Sequence, residues 1–108
     1  VEDRYALANA DLVPGVPGIG FAEWGPGDIG LSLNLPDGHA ANDDLHPQMR
    51  AARAKVLAAC KKNGLAFLNT VRPDDVTEMI DEGVMIGSGG GEATADKGRK
   101  HTKRQMPW

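Results

Sequence analysis

The chain has 108 residues, a formal net charge of −3, 41% hydrophobic and 25% charged residues. That is enough for one modest core in an ordinary water-exposed protein, and it offers no basic field for a nucleic-acid backbone. No apolar run approaches the roughly 20 residues that a membrane-spanning helix needs, so a membrane partner is not expected, and the single cysteine, Cys60, excludes an internal disulfide framework and fits a reducing, cytoplasmic setting.

Arg4 to Asn9 reads as a short helix, and Pro14-Gly15-Val16-Pro17-Gly18 as a loop. Ile19 to Glu23 is a strand candidate weakened by its glycine. Residues 24–46 read as one long loop, in which Gly25-Pro26-Gly27 makes a tight turn and Leu31, Leu33 and Leu35 alternate as an extended piece. A loop of that length inside a compact domain points to function. Pro47 to Asn63 is the clearest helix: proline suits its first position, Met49, Ala52, Val56, Ala59 and Cys60 form one apolar stripe, Lys61 and Lys62 suit its negative end, and Gly64 stops it. Leu65 to Leu68 then reads as a buried strand. Pro73 opens a further helix with Asp74 and Asp75 in its first turn and Gly83 at its end, Val84 to Ile86 reads as a buried strand, and a last helix runs from Glu92 or Ala93 to about Lys100, overlapping a basic C-terminal tail that spans 97–108. Strands joined by helices predict parallel pairing and an α/β fold.

Two acids stand out against this rhythm. Glu2 falls where a strand before the first helix would end, and Asp28 just after the next strand. One βα unit of a (β/α)8 barrel takes about 30 residues, and neighbouring parallel strands lie about 4.8 Å apart, so both acids can reach one small volume. Carboxylates held that close repel each other, and a hard divalent cation removes the conflict; two carboxylates with waters and substrate oxygens suit Mg²⁺ or Mn²⁺. The amides of Gly25, Gly27 and Asp28 can donate to a carboxylate and are expected to cradle it, since glycine lets the backbone come close to a ligand. Spacing alone favours the plainer reading, a solvated Glu2 and an ordinary turn aspartate at Asp28.

Val1-Glu2-Asp3-Arg4 with Ala6-Leu7 resembles the segment that carries the metal glutamate in the HpcH/HpaI aldolase family, a group of metal-dependent 2-keto acid aldolases. Gly20 through Ile29 is similar to that family's Gly-Pro-x-Asp signature, His46-Pro47 and its helix to the next segment, and Gly98 to Thr102 with Met106-Pro107 to some of its C-terminal tails. The resemblance implies the C-terminal portion of a (β/α)8 TIM barrel, from the end of strand five through strand eight and the final helix, as a partial barrel over residues 1–108. It implies Glu2 and Asp28 as ligands of a divalent metal, Mg²⁺, Mn²⁺ or Co²⁺, with Trp24, Gly25, Pro26, Gly27 and Asp28 at the substrate. The activity it implies is that of a class II aldolase, a carbon–carbon lyase cleaving 4-hydroxy-2-keto acids to pyruvate and an aldehyde through a metal-stabilised enolate. It further implies a homo-oligomer with a small 2-keto acid as its substrate partner. The family's catalytic histidine and enolate-stabilising arginine match no position here and are expected upstream of Val1. The alternatives are a non-catalytic half-barrel fragment, inactive without an N-terminal half, and a module that binds a carboxylate or phosphate.

The remaining candidates have plainer roles. His46 belongs to a helix start, His39 to a polar loop, and His101 to an exposed basic helix face that could meet an acidic partner subunit. Gly87 to Gly91 suits a tight turn near the substrate, or a phosphate at a helix N-terminus, although the P-loop ending is missing. Cys60 reads as core, and Asn69 and Thr70 as residues at a strand end beside a pocket.

Overall fold

A computed structural model describes residues 1–35 and 45–105. In chain order the elements are α1 (Arg4–Ala8), a 3₁₀ turn (Val13–Gly15), β1 (Phe21–Glu23), α2 (Pro26–Ser32), α3 (Pro47–Asn63), β2 (Ala66–Thr70), α4 (Val76–Glu82), β3 (Ile86–Ser88) and α5 (Gly91–Thr102). The strands are ordered β1-β2-β3. Contacts divide the chain into two compact units, Val1–Phe67 and Leu68–Trp108, with the boundary inside β2.

In the first unit, α1 starts where the Asp3 carboxylate accepts hydrogen bonds from the amides of Tyr5 (2.8 Å) and Ala6 (2.7 Å), satisfying two donors that the helix cannot. The long helix α3 has the limits its sequence predicts. His46 is the N-cap, its Nδ1 accepting from the Gln48 amide at 3.3 Å, Pro47 follows, and Gly64 closes the end in the left-handed conformation at φ 65°. The whole predicted stripe is buried, and with it Leu57 and Arg53. Arg53 lies 5.8 Å from the centre of the Phe67 ring, a position in which a guanidinium gains from the ring's negative face. Trp24, Ile29 and Leu45 complete this core.

In the second unit, β2 and β3 pair in parallel, with Leu68 opposite Ile86, Asn69 opposite Gly87 and Thr70 opposite Ser88. Between them Gly83 ends α4 at φ 115°. Helix α5 packs on α4 at a glycine: a Cβ on Gly98 would stand 3.3 Å from Ile80 Cδ1 and 3.5 Å from Val76 Cγ2. Val71, Val76, Met79 and Val84 form the core, with Thr94 buried among them, its hydroxyl donating to the Gly90 carbonyl at 2.8 Å.

Four expectations change. Residues 24–46 are not one loop, because Pro26–Ser32 is helical, with proline at its first position and Asp28 in its first turn. The alternation of Leu31, Leu33 and Leu35 is therefore not a strand pattern, since Leu31 sits in α2. The last strand lies two residues later than Val84 to Ile86, and its residues are exposed or half-buried rather than buried. The last helix begins at Gly91 and runs two residues past Lys100, so His101 and Thr102 belong to α5 rather than to the tail. Smaller shifts move the start of the first strand from Ile19 to Phe21 and the start of α4 from Pro73 to Val76, where a turn led by the Arg72 amide donating to Asp75 at 2.7 Å precedes the helix. His39 and the segment Met106-Pro107 lie outside the described residues.

Candidate functional site

The candidate acids meet within the first unit. The Val1 ammonium donates to the Glu23 carbonyl at 2.6 Å, and the Gly25 amide donates to the Val1 carbonyl at 2.9 Å. Those two bonds bracket Trp24, the pattern of a parallel ladder. Val1 thus lies beside the end of β1 as a parallel neighbour, and Glu2 leaves that ladder next to Gly25. Three residues beyond the end of β1, Pro26 begins α2 and places Asp28 in its first turn.

Gly25 is where the two side chains converge. A Cβ built on it would lie 2.8 Å from Glu2 Cγ and 3.5 Å from Asp28 Oδ2. Both side chains therefore stand on one side of a single buried α-carbon. Their carboxylates are solvent-exposed, which leaves a cation and its waters free access. Trp24 is buried at 4% exposure, and Pro26 and Gly27 are half-buried at the start of α2.

The donor set suits a hard cation. Two carboxylates with open space before them fit Mg²⁺ or Mn²⁺, which bind through one or two protein carboxylates and keep waters or substrate oxygens in the other positions. Among the described residues no group of three or more His, Cys, Asp or Glu side chains could hold an ion, so a closed structural zinc site is not formed there. Glu2 and Asp28 would hold the cation, and the free first-turn amides of Gly27 and Asp28 lie next to it in sequence.

Outside this site the side chains have structural roles. Cys60 is fully buried, and burial raises its thiol pKa above the ordinary value of 9.0, which keeps it protonated and unreactive. His101 Nε2 meets Asp81 Oδ1 at 2.7 Å, within its own unit. Asn69 Nδ2 donates to the Thr70 carbonyl at 2.7 Å, and Thr70 Oγ1 stands 3.4 Å from Ser88 Oγ. Gly89, Gly90 and Gly91 all take positive φ, the backbone condition for so sharp an entry into α5. A groove of about 390 Å³ runs along this unit past Val71, Ile80, Met85 and Gly87 to Arg99 and Arg104, and among the described residues no carboxylate lines it.

One residue pair escaped sequence reasoning. The Arg4 amide donates to Ser32 Oγ at 3.0 Å, Arg4 Nε to the same oxygen at 3.4 Å, and Arg4 Nη2 to the Ser32 carbonyl. No local signal joins residues 28 positions apart.

No family model and no curated protein sequence matches the chain. Solved structures do. Macrophomate synthase superposes with a TM-score of 0.74 at 24% identity, over 83% of this chain and 30% of that one. The citrate lyase β subunit of M. tuberculosis, complexed with oxaloacetate and magnesium, gives a TM-score of 0.78 at 15% identity, over 96% of this chain and 51% of that one. An HpcH/HpaI aldolase from Desulfitobacterium hafniense DCB-2 gives 0.67 at 20% identity, over 99% of this chain and 42% of that one. The chain spans about half or less of the length of each of these structures. The likeness establishes the fold: an α/β arrangement corresponding to part of a (β/α)8 barrel, shared with aldolase and lyase structures.

Proposed function

We propose that this chain carries the metal-binding portion of a divalent-metal-dependent carbon–carbon lyase acting on 4-hydroxy-2-keto acids, with pyruvate and an aldehyde as products. The observation that carries the reading is the convergence of Glu2 and Asp28 on Gly25. Its chemical context is the fold shared with lyases, one of them complexed with oxaloacetate, itself a 2-keto acid, and with magnesium.

A bound Mg²⁺ or Mn²⁺ would supply Lewis-acid polarisation of the keto oxygen. The chain's own residues do the rest of the positioning. Glu2 and Asp28, whose side chains both lie beside Gly25, would offer the cation their carboxylate oxygens. The Gly27 and Asp28 amides, at the positive end of α2, would donate hydrogen bonds to the substrate carboxylate, and Pro26, which has no N–H, starts the helix. Gly25 keeps that space open because it carries no side chain. The proton transfers require a base and a second cationic group, the roles that the resemblance assigns to a histidine and an arginine with no matching position in this sequence. A homo-oligomer and a cytoplasmic setting are part of the same proposal.

The test is calorimetric titration of the chain with Mn²⁺, followed by pyruvate, for the wild type, Glu2→Gln and Asp28→Asn. Cation binding that each substitution abolishes, and pyruvate binding that needs the cation, support the lyase reading. Pyruvate or phosphate binding that ignores the cation would instead establish a plain anion-binding module.

A further inference from the structure

We infer that Arg4 and Ser32 form a positioning clamp that sets the separation of Glu2 and Asp28, and so the size of cation the pair accepts; this rests on the metal reading of those two acids. The geometry begins with α2. Asp28 and Ser32 are four residues apart in one helix, so they lie on the same face one turn apart. Whatever fixes the rotation of α2 at Ser32 fixes the direction of the Asp28 side chain as well.

Arg4 holds Ser32 from the other side. Its amide and Nε both reach Ser32 Oγ, and its Nη2 reaches the Ser32 carbonyl. The planar fork of a guanidinium makes this a directional contact, which a lysine could not reproduce. Helix α2 has no basic residue in its own last turn, so Arg4 brings to its negative end the cation that the helix lacks.

Arg4 is only two residues from Glu2, and the connection between them is stiff. Val1 is fixed in its ladder beside Trp24, and Asp3 is fixed as the cap of α1 through two hydrogen bonds. Glu2 therefore has little freedom relative to Arg4, and Asp28 little relative to Ser32. The Arg4–Ser32 contact links the two short rigid pieces and leaves both carboxylates beside Gly25. Neither Arg4 nor Ser32 needs to touch the cation. They act through the two acids, as supporting residues around metal sites commonly do.

Cation size provides the readout. Mg²⁺ and Mn²⁺ demand short, well-directed oxygen contacts, whereas Ca²⁺ accepts longer and looser ones. Loosening the clamp should weaken Mn²⁺ binding more than Ca²⁺ binding, while a general loss of structure would weaken both alike. The experiment is calorimetric titration of the full chain with Mn²⁺ and with Ca²⁺ for the wild type, Arg4→Gln, Ser32→Ala, Ser32→Thr and Asp28→Asn, with helical content followed by circular dichroism. Arg4→Gln and Ser32→Ala are expected to weaken Mn²⁺ by about tenfold, with a smaller loss for Ca²⁺, and Ser32→Thr, which keeps the hydroxyl, to restore the wild-type ratio. Should Arg4→Gln lose its helical signal, Ser32→Ala decides alone, since it removes a single oxygen. An unchanged Mn²⁺/Ca²⁺ ratio in Ser32→Ala overturns the clamp while leaving the metal site standing, provided Asp28→Asn abolishes binding. Wild-type Mn²⁺ affinity in Asp28→Asn overturns the metal reading and the clamp together.

Discussion

Gly25 leaves to Glu2 the space that its own side chain would have filled: a Cβ at position 25 would lie 2.8 Å from Glu2 Cγ, inside any tolerable contact distance. The φ of Gly25 is −82°, a value open to every residue, so the need for glycine here comes from its neighbour and not from the backbone. Gly25→Ala should therefore push the Glu2 side chain out of the shared space. We expect an overpacking cost of about 1–3 kcal/mol and a loss of Mn²⁺ affinity beyond what that cost explains. Thermal melting with chelator, set against Mn²⁺ titration, separates the two effects.

Asp28 is exposed at the start of α2, so its charge contributes little to the free fold. Asp28→Asn should cost less than about 1 kcal/mol in the presence of a chelator, mainly through the weakened charge at the helix N-terminus. With Mn²⁺ at a hundred times its dissociation constant, the wild type should gain about 2.7 kcal/mol and the variant nothing. Urea unfolding with and without Mn²⁺ measures both quantities, and equal gains in the two proteins would remove Asp28 from the ligand set.

Two adjacent glycines ahead of α5 should respond differently to the same change. Gly90 and Gly91 have φ of 74° and 68°, but a Cβ on Gly90 would lie 2.5 Å from Thr94 Oγ1, whereas one on Gly91 meets nothing within 4 Å. Gly91→Ala should cost about 1 kcal/mol for the left-handed backbone. Gly90→Ala should cost at least about 2 kcal/mol, because the clash is added to it. Equal melting temperatures for the two variants would contradict the packing of Thr94.

Cys60 gives a prediction with a definite sign. Burial raises its pKa in the folded chain above the ordinary 9.0, so the folded state retains a proton that the unfolded state gives up. Stability is unaffected below the unfolded value and falls as pH rises from there through the folded value. Urea midpoints should drop between neutral pH and pH of about 10 in the wild type. Cys60→Ala, less stable at neutral pH because of the lost sulfur, should show a shallower drop. A thiol reagent should label the native protein only at the rate at which it unfolds.

The sequence was most informative where periodicity and punctuation agreed. Pro47, the stripe from Met49 to Cys60 and Gly64 define α3 without reference to any other part of the chain. Helix α2 was hidden because Gly25-Pro26-Gly27 has the composition of a turn; the proline at its first helical position was the available signal. The last strand was displaced because Val84 is buried in the connection after Gly83, while the strand itself contains Gly87, whose missing Cβ leaves room for Val71 Cγ2 at 2.8 Å. The proximity of Glu2 and Asp28 could be expected from the βα rhythm and the family likeness. The Arg4–Ser32 contact could not, because it depends on how α2 is rotated, and that rotation depends on a helix the sequence did not reveal.

The face that α5 turns toward α4 carries Thr94, Gly98 and Thr102, one turn apart, with Thr94 and Gly98 buried. Little oily surface is involved on that side, so the two helices recognise each other by outline. Mutation is then unequally tolerated across the seam: trimming Ile80 to valine removes one methylene that neighbours can partly fill, and a methyl at Gly98 needs only a small shift of Ile80 Cδ1 from 3.3 Å, whereas a bulkier side chain there acts as a wedge between the helices. Sequence drift in this half of the chain should accordingly accumulate on α4 while position 98 stays small.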